Sequence, residues 1–124
     1  MNQTATTSAP FVLPESPVES DLVAKYFRGL GDPMRVRILE LLREHDELSV
    51  GQLVERLGES QPKVSNHLAC LRWCGFVATR RQPPTVYYRV ADERVLDLLR
   101  LSYALLADNA EHVAACRRID GKGC

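Results

Sequence analysis

From residue 18 onward, apolar positions recur at helical spacing in blocks punctuated by Gly, Pro, Asp and Ser. The first block is Leu22, Val23, Tyr26, Phe27 and Leu30. It predicts a helix over 18–30, closed by Gly31, with an apolar stripe wider than one buried face needs. Asp32 followed by Pro33 is a strong helix start: a carboxylate caps the orphan N–H groups, and proline at the first position gives up a donor that has no partner there. Met34, Ile38, Leu41 and Leu42 give this second helix its inner face. After a loop at His45 and Asp46, Ser49 caps a short third helix with Val50, Leu53, Val54 and Leu57 inward and Gly58 at its end.

A fourth helix is predicted over 60–74. Ser60 is its N-cap, Pro62 falls in the first turn, and Gly75 suits the left-handed residue that ends a helix. Val64, Leu68 and Leu71 lie on one seam at i, i+4 and i+7. Two short helices joined by a Gly-marked turn make a helix-turn-helix. Two β-branched and aromatic runs follow, 76–81 and 86–90, and Gln82-Pro83-Pro84-Thr85 confines their connection to a loop. A hairpin in this place is a wing.

Asp92 caps a last helix over 93–107, extendable through 113. Its Val95, Leu96, Leu98, Leu99, Leu101, Leu105 and Leu106 cover more than one face, so it must be buried on both sides. One domain of this size does not surround such a helix, and the first helix has a similar excess. The two are therefore expected to pack across a two-fold dimer through Leu22, Tyr26, Leu98, Leu101 and Leu105. The expected fold is mainly α with a β-hairpin wing: a homodimeric winged helix-turn-helix over 18–115. A flexible arm rich in Thr, Ser, Ala and Pro precedes it at 1–17, and a thiol-bearing tail follows at 116–124.

The 124 residues suffice for one domain, and 16 basic residues balance 16 acidic ones. Attraction to a polyanion must therefore come from placement. Between Ser60 and Ala91 the charged residues are Lys63, Arg72, Arg80, Arg81 and Arg89, with no Asp or Glu, which is the electrostatic footprint of a DNA-binding face. The candidate contacts are Ser60, Gln61, Lys63, Ser65, Asn66, His67 and Arg72 on the helix and Arg80, Arg81 and Arg89 on the wing. Half-sites are expected about one DNA turn apart, ~34–36 Å.

No run reaches the roughly 20 apolar residues of a membrane span. No secretory pattern opens the chain, so a cytoplasmic protein with reduced thiols is expected. Nucleophile–base pairs, phosphate loops and cofactor fingerprints are not found, which argues against an enzyme. Four cysteines (Cys70, Cys74, Cys116 and Cys124) then point to metal or redox chemistry. Cys70 and Cys74 stand one turn apart and share a helix flank with Lys63 and His67; at this spacing Cβ atoms are about 5–6 Å apart.

The runs Leu30-Gly-Asp-Pro-Met-Arg-Val-Arg-Ile-Leu39, Leu48-Ser-Val-Gly-Gln-Leu53, Ser60 to Val77 and Val86-Tyr-Tyr-Arg-Val90 together resemble the ArsR/SmtB winged-helix repressors over about 22–107. The resemblance implies a homodimer with its first and last helices at the interface, bound to an inverted-repeat operator and released by an inducer. Two inducer sites of that family are not matched. Glu47-Leu-Ser-Val-Gly-Gln-Leu53 carries Ser49 and Gly51 where third-helix cysteines would stand, and the last helix carries His112 alone. The segment Asn66-His-Leu-Ala-Cys-Leu-Arg-Trp-Cys-Gly75 is instead similar to the CmtR-type cadmium/lead sensors. These hold cysteines at i and i+4 on the recognition helix and a third from the partner's C-terminal region. Cys116 lies one residue from that third position, with Cys124 as an alternative or added ligand.

Two thiolates on one helix constrain nothing else, so signalling requires a third, from Cys116 or Cys124. A sulfur-only donor set favours soft ions: Cd(II), Pb(II) or Hg(II), with As(III) also able to take three thiolates. A thiol-redox or persulfide sensor of the same fold is the alternative.

Overall fold

The computed structural model describes residues Val18–Ile119; the expected arm at 1–17 and the end of the tail, Cys124 included, fall outside the described residues. Five helices and three strands follow in order: α1 (Glu19–Leu30), α2 (Pro33–His45), β1 (Leu48–Ser49), α3 (Val50–Leu57), α4 (Gln61–Trp73), β2 (Val77–Gln82), β3 (Thr85–Val90) and α5 (Glu93–Ala115).

Local chemistry sets most of these boundaries. Asp32 Oδ1 accepts from the Met34 amide at 2.8 Å and, more weakly, the Arg35 amide at 3.4 Å, starting α2. Ser49 and Gln52 form a reciprocal capping box at the start of α3. Asp92 accepts from the Arg94 amide and pairs with its guanidinium, which holds the Asp92 carboxyl down at about 2. Ser60 does stand at the α4 N-cap, but its side chain makes no capping bond, so Pro62 and the packing of the seam carry that boundary.

The core is the meeting of α2, α3, α4 and the sheet. Ile38, Leu39, Leu42, Leu53, Val64, Leu68, Leu71 and Phe76 are fully buried, with Leu48, Leu57, Val77, Val95 and Leu99 beside them. The α4 seam read from the sequence is thus the face that α4 buries. The sheet runs β1-β3-β2, all antiparallel, with Leu48 opposite Tyr88 and Thr79 opposite Tyr88 from the other side. β1 was not foreseen: its two residues pair only because β3 passes beside them, and Ser49 serves both the strand and the α3 cap.

Two expectations for the outer helices change. α5 ends at Ala115, beyond 113, and within one protomer it is buried only at Val95 and Leu99. Every residue from Arg100 to Ala115 is exposed. α1 buries only Gly29. An apolar groove between the two, of about 360 Å³, is lined by Phe27, Leu30, Val36, Leu98, Tyr103 and Leu106 among others.

Candidate thiol site and nucleic-acid face

α4 presents two flanks of different chemistry. On one, Gln61, Asn66 and Arg72 are exposed and Ser65 half-buried, clear of the Val64–Leu68–Leu71 seam, while Lys63 is exposed in the first turn above the thiols. The Lys63 ammonium lies 3.3 Å from Glu59, an exposed i,i+4 pair of the kind that exchanges readily with other anions. On the wing, Arg81 and Arg89 are exposed.

Two expected DNA contacts are otherwise engaged. The Arg80 guanidinium grips the Glu47 carboxylate through Nε at 3.0 Å and Nη2 at 2.7 Å, donates to Gln82 at 2.7 Å, and stacks 4.6 Å from the Tyr87 ring centroid. These contacts pull the Glu47 carboxyl below its usual range. His67 faces inward: its Nδ1 accepts from Arg35 Nε at 3.0 Å, its Nε2 is 3.8 Å from Asp32 Oδ1, and its side chain is only 16% exposed. Within one protomer His67 is therefore a packing and network residue, mostly covered, among the candidate DNA contacts.

The other flank carries the thiols. Cys70 and Cys74 are both reduced and half-buried, one helical turn apart. Helix geometry produces this: the Cys74 amide donates to the Cys70 carbonyl at 3.0 Å, so the side chains rise from successive turns. Cys74 meets α1, where a Cβ added to Gly29 would lie 3.7 Å from its Sγ. It also walls a cavity of about 340 Å³ with Leu22, Lys25, Tyr26 and Trp73. Trp73 is 93% exposed, an unusual cost for the largest apolar side chain.

Burial pushes the Cys74 thiol up, and Cys70 pushes it further, while the Arg35 and Lys25 charges pull it down. Burial likewise raises the Tyr26 hydroxyl, with Cys74 adding to the shift. Lys25, Arg35 and Gly29 were not singled out from the sequence. The only signal was that Arg35 stands three residues after the Asp32 cap, on the side of α2 that α4 covers.

Cys116 is the α5 C-cap, half-buried, its amide donating to Val113. The structure does not bring it to the thiol pair. Among the described residues no three His, Cys, Asp or Glu side chains come together to hold a metal ion. The donor set of one protomer's described residues is therefore two thiols, chemically suited to a soft ion but short of a closed site.

Of the described helices, none is long and apolar enough to cross a membrane. A helix pair on a common core, the second helix turning a polar flank outward, with a basic hairpin behind it, defines a winged helix-turn-helix DNA-binding protein. The family model for bacterial regulatory proteins of the arsR family matches residues 32–79. The chain is 44% identical over 103 residues to a probable mercury resistance operon repressor of Streptomyces lividans, covering 83% of this chain and 82% of that one. The crystal structure of Rv0081 from M. tuberculosis superposes with a TM-score of 0.72 at 35% identity, over 81% of this chain and all of that one. A homodimeric winged helix-turn-helix domain of Mb0332 from Mycobacterium bovis follows at 0.63 and 30%, covering 79% and 92%. This chain belongs to the ArsR family and is a DNA-binding transcriptional regulator, not an enzyme.

Proposed function

We propose that the protein is a cytoplasmic, homodimeric repressor released from an inverted-repeat operator by Hg(II), held by Cys70 and Cys74 together with a tail thiol. The observation that carries this reading is the pair of half-buried thiols one turn apart on α4, the helix that also carries the exposed polar residues Gln61, Asn66 and Arg72. A soft dication is the ligand class such sulfurs select. Mercury is preferred over cadmium, lead or arsenite because the S. lividans relative is named for mercury resistance. Cys116, at the end of the long exposed α5, is the first candidate for the third thiolate, and Cys124 the second. A second copy of the chain supports the tail's approach: α5 exposes Leu101, Leu105 and Leu106, and α1 exposes Val23 and Phe27, an apolar surface that a two-fold partner would cover.

Reduced, full-length protein is titrated with Hg(II), Cd(II), Pb(II) and As(III), following thiolate charge-transfer absorption and operator binding together. Cys70→Ser and Cys74→Ser are expected to keep operator binding and lose release by Hg(II). The same loss in Cys116→Ser or Cys124→Ser identifies the third donor. Release that survives in both α4 variants rejects the site. Release by oxidant or sulfide, with none by Hg(II) under reductant, would favour the thiol-redox reading instead.

A further inference from the structure

We propose that Arg35 is a positioning residue that couples the thiol site to the orientation of α4. It does so by bonding α1 and α4 at once beside Cys70 and Cys74. The inference rests on the metal reading above and adds the residue through which occupancy is felt.

The geometry is specific. Arg35 rises from the first turn of α2. Its Nη1 donates to the Gly29 carbonyl at 3.1 Å, one of the orphan acceptors in the last turn of α1. Its Nε donates to His67 Nδ1 at 3.0 Å. The planar fork lets one side chain serve two acceptors on two helices, which an ammonium on a flexible stem does not reproduce. Because Nδ1 accepts, the imidazole proton is assigned to Nε2, facing Asp32 at 3.8 Å. His67 is thus held from both sides by α2.

Both acceptors are tied mechanically to the thiols. His67, Cys70 and Cys74 are at i, i+3 and i+7 on α4, one flank of a rigid rod. Gly29 presents its carbonyl to Arg35 and its α-carbon edge to Cys74 Sγ. Closing a third sulfur onto the pair displaces α4 against α1 and α2, and the two Arg35 bonds lie across that displacement. Charge acts in the same direction. Three thiolates around a dication sum to −1 where free thiols sum to zero, and Arg35 is one of two cations felt at Cys74, the other being Lys25. An occupied site therefore competes with His67 and Gly29 for the guanidinium.

The test compares wild type with Arg35→Gln, Arg35→Lys, His67→Gln and the Arg35→Gln/His67→Gln double variant in the full chain, using Hg(II) as the probe. Three quantities are read: the charge-transfer titration, operator affinity with and without Hg(II), and the solvent exchange of the Arg35 Nε–H resonance in metal-free and loaded protein. The expected result is an unchanged charge-transfer band in Arg35→Gln. The ratio of operator affinities without and with Hg(II) falls by about tenfold, within the usual range of coupling between sites. Arg35→Lys does not rescue it, and the double variant adds little. In wild type the Nε–H signal is protected when metal-free and loses protection on loading.

Should Arg35→Gln be too unstable to assay, Arg35→Lys and His67→Gln carry the same comparison. An affinity ratio equal to wild type, or a proton equally protected in both states, overturns the inference while leaving the metal reading intact. A wild-type protein that binds no Hg(II), or is not released by it, defeats both.

Discussion

Arg80 shows how a single side chain can look free in a sequence and be committed in a fold. Its β2 position carries it toward the wing, but Glu47, just ahead of β1, holds its guanidinium in a two-toothed grip. The pair is exposed and open to exchange: a phosphate offers the same acceptor geometry as the carboxylate. Glu47→Gln removes the internal competitor while keeping the shape. We expect tighter operator binding and a salt dependence steeper by about 0.9 in log–log slope, the counterion released by one added phosphate contact. Fluorescence anisotropy across a salt series measures it. An unchanged slope would mean that Arg80 only fastens the wing to β1. His67 is the opposite case: helical periodicity puts it on the same flank as Lys63, but Arg35 and Asp32, distant in sequence, pull its ring inside.

At the scale of elements, the end of α4 is the most closely determined feature. Gly75 takes φ +83°, its amide donates to Arg72 O at 3.1 Å, and the Phe76 amide donates to Leu71 O at 2.8 Å. This is a Schellman closure, with Leu71 and Phe76 both fully buried as its apolar contact. It turns the chain from the thiol flank directly into the wing. A Cβ on Gly75 would meet nothing within 4 Å, so Gly75→Ala should cost only the left-handed conformation, about 1 kcal/mol. That predicts a Tm lower by roughly 4 °C in calorimetry, with α4 and its thiols otherwise as in wild type. A much larger loss would indicate that the wing is displaced. The same reasoning explains why α4 and α2 were legible in sequence while β1 was not. Caps and seams are local chemistry, whereas a two-residue strand exists only through its partner β3.

For the whole molecule, the unsatisfied surface is the α1–α5 side. α5 runs 23 residues, about 35 Å, and its outer part is exposed throughout, with Leu101 at 61% and Leu105 at 69%. Tyr103 is an internal brace, its hydroxyl donating to Glu40 and its ring facing Arg43 at 5.5 Å, which ties α5 to α2. Placing charge on the bare positions, Leu101→Glu with Leu105→Glu, should leave the Val95 and Leu99 core contacts intact and give a folded monomer in sedimentation velocity. Operator affinity should then fall by about 10²-fold or more, because one reading unit replaces two linked ones. A dimer of undiminished affinity would move the interface elsewhere.

Legible in the residues alone were the bounds of α2, α3 and α4, the seam that α4 buries, the wing, and the two thiols one turn apart. Each of those depends on residues a few positions apart, where spacing and cap chemistry decide. Tertiary structure alone decided that His67 belongs to Arg35 and Asp32, that Arg80 belongs to Glu47, that Cys74 lies against Gly29, and that Cys116 stands apart from the pair within one protomer. The reason is physical: a side chain's partner is set by which helices the core brings side by side. That depends on the summed burial of residues scattered from Ile38 to Leu99.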